Sequence, residues 1–356
     1  MNINRQSLDD ATRQGLLTSA QAEALWVFLG AHEAERQHDT PGFKPAHVLY
    51  YLGGCVAIGA MSLFMTLGWE RFGGWGLVAI ALVYGAVALA LTEFLLRKKQ
   101  LRLPAGITAA LAVTLVPLAV YGLQQGLGFW PADADRAGAF RDYHRLIDWR
   151  WLLMELATLA AGAVLLWRYR LPFLVMPVAV TLWYMGMDLV PFLLGGEPGQ
   201  FFSSQGKWIS TGFGLLMVAA AVWVDLRTRG PHDFAFWLYL FGVLSFWGGL
   251  TSMESSNEFG KFVYACINLL MIALGAALAR RVFAVFGGLG VAAYLGHLSY
   301  AVFKDSLLFP VALTAIGLGL VAVGVWWQRH DQAIGASLRA RLPAGLNALV
   351  ARRAGA

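Results

Sequence analysis

Between Arg280 and Arg329 the chain carries two apolar runs, 282–303 and 306–328, joined by a Lys304-Asp305-Ser306 turn and closed at both far ends by arginine. Each run is near the roughly 20 residues that a helix needs to cross the hydrocarbon core of a bilayer. Backbone in hydrocarbon must satisfy its own hydrogen bonds, so runs of this length fold as helices, and the short turn makes them a hairpin. Basic residues gather on the cytoplasmic side, which puts both far ends of this hairpin inside. Runs of the same kind at 46–68, 73–96, 105–127, 150–169, 171–194, 208–224, 233–251 and 262–279 extend the plan along the chain. The expected fold is all-α, a polytopic transmembrane helix bundle of about ten spans with both termini cytoplasmic.

Composition sets the same limit. With 58% hydrophobic and 13% charged residues and a mean hydropathy of +0.59, the chain has more apolar surface than a soluble domain of its size encloses. The net charge of +6 does not indicate nucleic acid, because the basic residues fall in inter-helix turns and tails, where they meet anionic inner-leaflet lipid. Nineteen of the 27 lysines and arginines lie in the segments assigned to the inside, and the rest lie outside, three of them in the long loop 128–149 and one, Arg150, just after it.

Three parts follow. Residues 1–44 read as a cytoplasmic helix pair: Ser7 with Asp10 and Thr18 with Gln21 have capping-box spacing, and Gly15 supplies a stop between them. Ala22, Leu25, Trp26 and Leu29 give the second helix an apolar face, so residues 7–35 can meet the inner leaflet, the bundle or a cytoplasmic protein partner. Residues 45–328 are the ten-helix transmembrane domain. Residues 329–356 are a basic amphipathic cytoplasmic tail, with Ile334, Leu338, Leu342, Leu346 and Leu349 among arginines. The first 45 residues lack a short apolar core and a small-residue cleavage site, so no removable signal peptide is expected. The two halves show no matching proline positions; Pro117 and Pro177 have no counterparts, so an inverted five-helix repeat is not read here.

Polar side chains in hydrocarbon are costly and mark the protein interior. Counting about 1.5 Å per residue from the outer helix ends, Glu155, Asp188, Asn268 and His297 fall about 7 to 10 Å deep, in one layer. Tyr184 shares a helix face with Asp188, Tyr264 with Asn268, and Tyr294 and Tyr300 with His297. These eight residues are the candidate substrate- or ion-binding set. The plainer reading of the same residues has Glu155 and Asp188 reaching to headgroups, Asn268 bonding a neighbouring helix and His297 satisfied in the core.

A histidine among carboxylates suits proton coupling, since its ordinary pKa lies near 6.5. No catalytic motif appears: there is no GxSxG, P-loop or dinucleotide fingerprint. No HExxH or comparable spacing indicates a metal, and His32, His38 and His47 lack acidic or cysteine partners at ligand spacing. Cys55 and Cys266 each sit in an apolar run and imply no disulfide. No cofactor is expected.

The stretches YLGHLSYAVFKDSLLFP (294–310) and FWLYLFGVLSFWGGL (236–250) resemble an uncharacterised family of bacterial multi-pass membrane proteins. GLLTSAQAEAL resembles the opening module of a related bacterial domain-of-unknown-function family. The resemblance implies a multi-pass protein of the bacterial inner membrane and brings no activity or catalytic residues with it. The leading expectation is therefore transport or permeation of a small solute or ion through an outer-half polar pocket. A membrane-embedded enzyme acting on a lipid-linked substrate, with His297 as base, and a non-enzymatic sensor or assembly factor are the other two readings.

Overall fold

The computed structural model describes residues 45–130, 149–194, 203–228, 232–253 and 257–303, together with Leu8, 12–15, 17–28 and scattered positions between 310 and 322. Most of the last expected span, the loop 131–148 and the tail 329–356 lie outside the described residues. Among those described, every regular element is helical and no strand occurs.

Among its described residues the N-terminal unit, described by itself, contains a helix over 19–28, α1, preceded by helical positions at Leu8, Thr12 and Arg13. Its start is the capping box expected from Thr18 and Gln21: Gln21 N–H donates to Thr18 Oγ1 at 3.3 Å and Thr18 N–H donates back to Gln21 Oε1 at 3.0 Å. Gly15 ends the preceding turn in the left-handed region, φ 74°, which an L side chain resists. Ala22 is buried and Leu25 exposed.

The second unit, from Tyr50 on, holds all but the first residues of α2 (Pro45–Arg97), then α3 (Arg102–Gly126), α4 (Trp149–Tyr169), α5 (Val175–Leu194, entered through a 3-10 turn at Pro172–Leu174), α6 (Ser204–Arg227), α7 (Phe236–Ser252), α8 (Glu258–Ala277) and α9 (Arg281–Phe303). Two of these are broken where the sequence demands it. Gly73 interrupts α2 at φ 62°, ψ 177°, a conformation essentially restricted to glycine. Pro117, without an N–H, leaves α3 divided at Leu115 into Arg102–Thr114 and Val116–Gly126.

Seven segments, Phe72–Arg97, Arg102–Gly126, Trp149–Tyr169, Pro172–Leu189, Ser204–Arg227, Glu258–Ala277 and Arg281–Tyr300, are long and apolar enough to cross a membrane. The apolar helix α7, at 17 residues, is shorter, near 26 Å at about 1.5 Å per residue. Large apolar side chains face outward along these helices: Trp167 is 77% exposed, and Leu216 and Phe259 are each 69% exposed. A water-soluble fold hides such residues, whereas a helix in lipid presents them.

The interior is built by close crossings. α6 and α7 form one tight hairpin and α8 and α9 another. A Cβ on Gly242 of α7 would lie 3.0 Å from Met217 Cβ and Val218 N of α6, and one on Gly249 would lie 2.9 Å from Lys207 O. α5 packs on α4, α6 and α7, and α9 packs on α8 and α7. The largest core cluster joins Val175 and Ala179 of α5, Ala221 of α6, Tyr239 and Val243 of α7, Met271 of α8 and Phe283 of α9. A second joins Leu77 and Ala81 of α2 to Leu118 and Tyr121 of α3 and Met154 of α4.

One end of the second unit is tied by charge. Glu93 near the end of α2 takes Arg97 Nε at 2.7 Å and Arg168 Nη2 of α4 at 3.3 Å, and it accepts Tyr169 O–H at 3.1 Å. Arg102 at the start of α3 hydrogen-bonds His232 Nε2 in the α6–α7 turn at 2.7 Å. The turns after α2, α4, α6 and α8 therefore share an end, which also collects Arg97, Arg102, Arg168 and Arg280. The opposite end holds the starts of α4, α6 and α8.

Candidate functional site

The four polar residues expected to form one layer have three different surroundings. Glu155, on α4, is 8% exposed. Its carboxyl neighbours the Asp188 carboxyl on α5, and its Oε2, sealed from solvent, has no hydrogen-bond partner among the described residues. α4 and α5 bring these two side chains together because α5 packs along α4. Two neighbouring carboxylates offer each other only acceptors and repel, so they can hydrogen-bond each other only by sharing a proton.

His297, on α9, has a different acidic neighbour. Its Nε2 lies 3.7 Å from Glu258 Oε1 at the start of α8, and the same Glu258 oxygen takes Lys261 Nζ at 2.6 Å. Glu258 is 69% exposed, so this is a rim group open to the surface. Tyr294 is half-buried and Tyr300 exposed on the same helix.

Asn268, on α8, is fully buried. Its Nδ2 donates to Tyr264 O at 2.8 Å, and its Oδ1 accepts the indole N–H of Trp247 on α7 at 3.2 Å. On the α9 side it presses against Gly290, where any Cβ would collide with the amide. Asn268 therefore joins three helices through one side chain. Tyr264 hydrogen-bonds Thr251 of α7 at 3.0 Å, and Tyr184 packs edge-on against Trp183 of its own helix.

The structure thus brings together Glu155 with Asp188, and Asn268 with Tyr264. It sets His297 beside Glu258, a residue the depth count did not include because it opens its helix. α7 packs against both α5 and α9.

A second charged group was not anticipated. Arg280, 5% exposed, follows the left-handed Ala279 (φ 52°) and points into the bundle. Its Nη2 donates to Asp225 Oδ2 at 2.7 Å, and it also donates to both oxygens of Asp233. Tyr239 O–H donates to Asp225 Oδ2 at 3.3 Å, and its ring lies 4.7 Å under the guanidinium. Asp233 Oδ1 in turn accepts the N–H groups of Ala235 and Phe236, each at 3.1 Å, and so satisfies two N–H groups where α7 begins. The planar guanidinium fork binds α6, α7 and the α8–α9 turn at once. The sequence signal was Asp225, an acid in the last turn of an otherwise apolar helix. Among the described residues no group of three or more histidine, cysteine or acidic side chains is arranged to hold a metal.

Compared with known proteins, the chain matches no protein-family model, no curated protein and no solved structure.

Proposed function

We propose that this chain is a ten-span protein of the bacterial inner membrane, kin to the uncharacterised multi-pass family, that binds and moves a proton or small cation through its outer half. The supporting observation is the Glu155–Asp188 carboxyl pair, held between two apolar helices. Burying one carboxyl against another costs free energy that structure alone does not require, because a pair of apolar residues would pack as well. A shared proton, exchangeable for a cation, gives the pair a task. His297, Tyr294 and Tyr300 on α9 are the further outer-half groups of this reading, with Asn268, Tyr264 and Tyr184 shaping the surrounding helices.

The test uses the full chain in phosphatidylcholine liposomes that enclose a pH-sensitive dye, under an imposed potassium diffusion potential. Wild type is expected to acidify the lumen faster than empty liposomes. Glu155→Gln and Asp188→Asn should each remove most of that excess, and the double variant should be no worse than either single, since each change breaks the same unit. Infrared spectra should contain a protonated-carboxyl carbonyl band that both variants lose. Dye response equal to empty liposomes, or variants that conduct like wild type, would reject the reading.

A further inference from the structure

A cavity of about 210 Å³ lies between α5, α6 and α7, lined by Trp183, Met187, Lys207, Ser210, Ser245 and Gly248, among others. We infer that it is a binding site for a small anion bearing an apolar group, a phosphate ester or carboxylate whose charge meets Lys207. This site is separate from the Glu155–Asp188 pair, and the inference does not depend on that pair's role. Asp188 follows Met187 in the chain, but a helical step of about 100° turns the two side chains to different faces.

The lining has a charged side and an apolar side. Lys207 is half-buried, and no carboxylate among the described residues is paired with it. Lys207 stands in the first turn of α6, where a bound anion can form a charge-assisted hydrogen bond with its ammonium. Two buried hydroxyls stand one helical turn deeper, Ser210 at 6% and Ser245 at 5% exposure. Ser245 donates to Ser210 O at 3.1 Å, while the two hydroxyl oxygens are 3.4 Å apart, long for an O–H···O bond. The Ser210 hydroxyl, only loosely held by Ser245, lies in the cavity lining as a group able to donate. Ser252 adds a third hydroxyl at the rim.

Trp183, Met187 and Leu244 supply the apolar side. The two glycines of α7 in the lining differ: Gly249 is pressed against Thr211 and Lys207 O, whereas a Cβ on Gly248 would meet nothing within 4 Å. Helix packing accounts for the first glycine. The second opens into the cavity and leaves space for a ligand. The volume is below the roughly 300 Å³ lower end of drug-sized pockets, so the occupant is a small molecule or only the headgroup of a larger one.

The free-solute arm measures binding of phenyl phosphate and benzoate to the full chain in phosphatidylcholine nanodiscs by equilibrium dialysis, with benzyl alcohol as the uncharged comparison. The lipid arm uses native mass spectrometry of protein released from mixed phosphatidylglycerol and phosphatidylcholine nanodiscs. Saturable binding of phenyl phosphate or benzoate identifies a free anion as the source, and selective retention of phosphatidylglycerol alone identifies a headgroup. In either arm Lys207→Gln should weaken binding about tenfold or more, the scale of a lost charge-assisted hydrogen bond, and Gly248→Leu should abolish it by filling the space. A Cβ at Gly248 meets nothing within 4 Å, so Gly248→Leu is expected to keep the fold even if Lys207→Gln does not. The inference is overturned if neither anion class binds, if benzyl alcohol binds as well as phenyl phosphate, or if binding survives Gly248→Leu.

Discussion

Asn268 shows how much one polar side chain can decide in a bundle whose helices are otherwise apolar. Hydrocarbon offers no water to compete for an amide, so an interhelical hydrogen bond here has no solvent alternative, although measured values average only about 0.6 kcal/mol and reach about 1.7. Asn268→Leu should destabilise the bundle by about 1–3 kcal/mol, because it also leaves the part-buried Trp247 N–H unpaired. Gly290→Ala should cost a similar amount by overpacking. Combined with Asn268→Ala, however, Gly290→Ala should cost less than the sum, since the shorter side chain vacates the space the new methyl enters. Thermal unfolding of the four proteins in one bilayer system checks this; strict additivity would mean that the two residues do not share their contact.

Arg280 is the other residue on which several contacts converge. Removing it leaves Asp225 buried beside Asp233 with no guanidinium, and breaking a buried ion pair from one side costs about 3–5 kcal/mol. Arg280→Met is expected to lose stability on that scale. Arg280→Lys should recover only part of it, because an ammonium cannot reach both carboxylates as a planar fork does. Comparable unfolding temperatures for Arg280→Met and wild type would contradict the network.

At the scale of the element, Gly73 sets where the first apolar stretch becomes two helices. Its φ and ψ are closed to residues with a Cβ, but a Cβ there would touch nothing within 4 Å, so the cost of substitution lies in the backbone alone. Gly73→Ala should destabilise by about 1–3 kcal/mol. Gly85, which is helical and equally unobstructed, provides the matched control: Gly85→Ala should stabilise by up to about 1 kcal/mol. The same sign for both changes, in thermal or denaturant unfolding, would show that the break is not held by the Gly73 conformation.

Element boundaries were legible in the chain. The Thr18–Gln21 box, the stop at Gly15 and the division near Gly73 are all local chemistry, set by residues within one turn of each other; the dent before Pro117, in a run read as continuous, was not anticipated. Glycine contacts were less legible. Gly287 and Gly290 do meet a neighbouring helix, but Gly53, Gly288, Gly317 and Gly319 have nothing within 4 Å of a Cβ among the described residues, although all lie in apolar runs with small residues nearby. Spacing says that a helix has a smooth face; it does not say that another helix lies on it.

For the whole molecule, the proposed orientation has a direct check. In a background without Cys55 and Cys266, a cysteine at Ala137 should react with an impermeant maleimide added to intact cells, and one at Gln100 should react only after lysis. The reverse pattern would invert the bundle and move the Glu155–Asp188 pair to the cytoplasmic half. The ties Glu93–Arg168, Arg102–His232 and Arg280–Asp225 place the short turns after α2, α4, α6 and α8 at one end, so a single labelled position reports on all four.

The chain by itself determined the solvent, the helical class and most helix bounds, because the length and hydropathy of an apolar run are properties of consecutive residues and need no partner. It also marked Glu155, Asp188, Asn268 and His297 as polar groups at similar depth. What it did not contain was the rotation of each helix about its axis and the identity of the helix lying opposite. Those depend on how side chains from distant segments interlock, and they decided that Glu155 meets Asp188, that His297 meets Glu258 and that Asn268 is held by Trp247 and Gly290. The Arg280 network and the Lys207 cavity arose the same way: each gathers residues from three helices, and no single stretch of sequence holds more than a part of either.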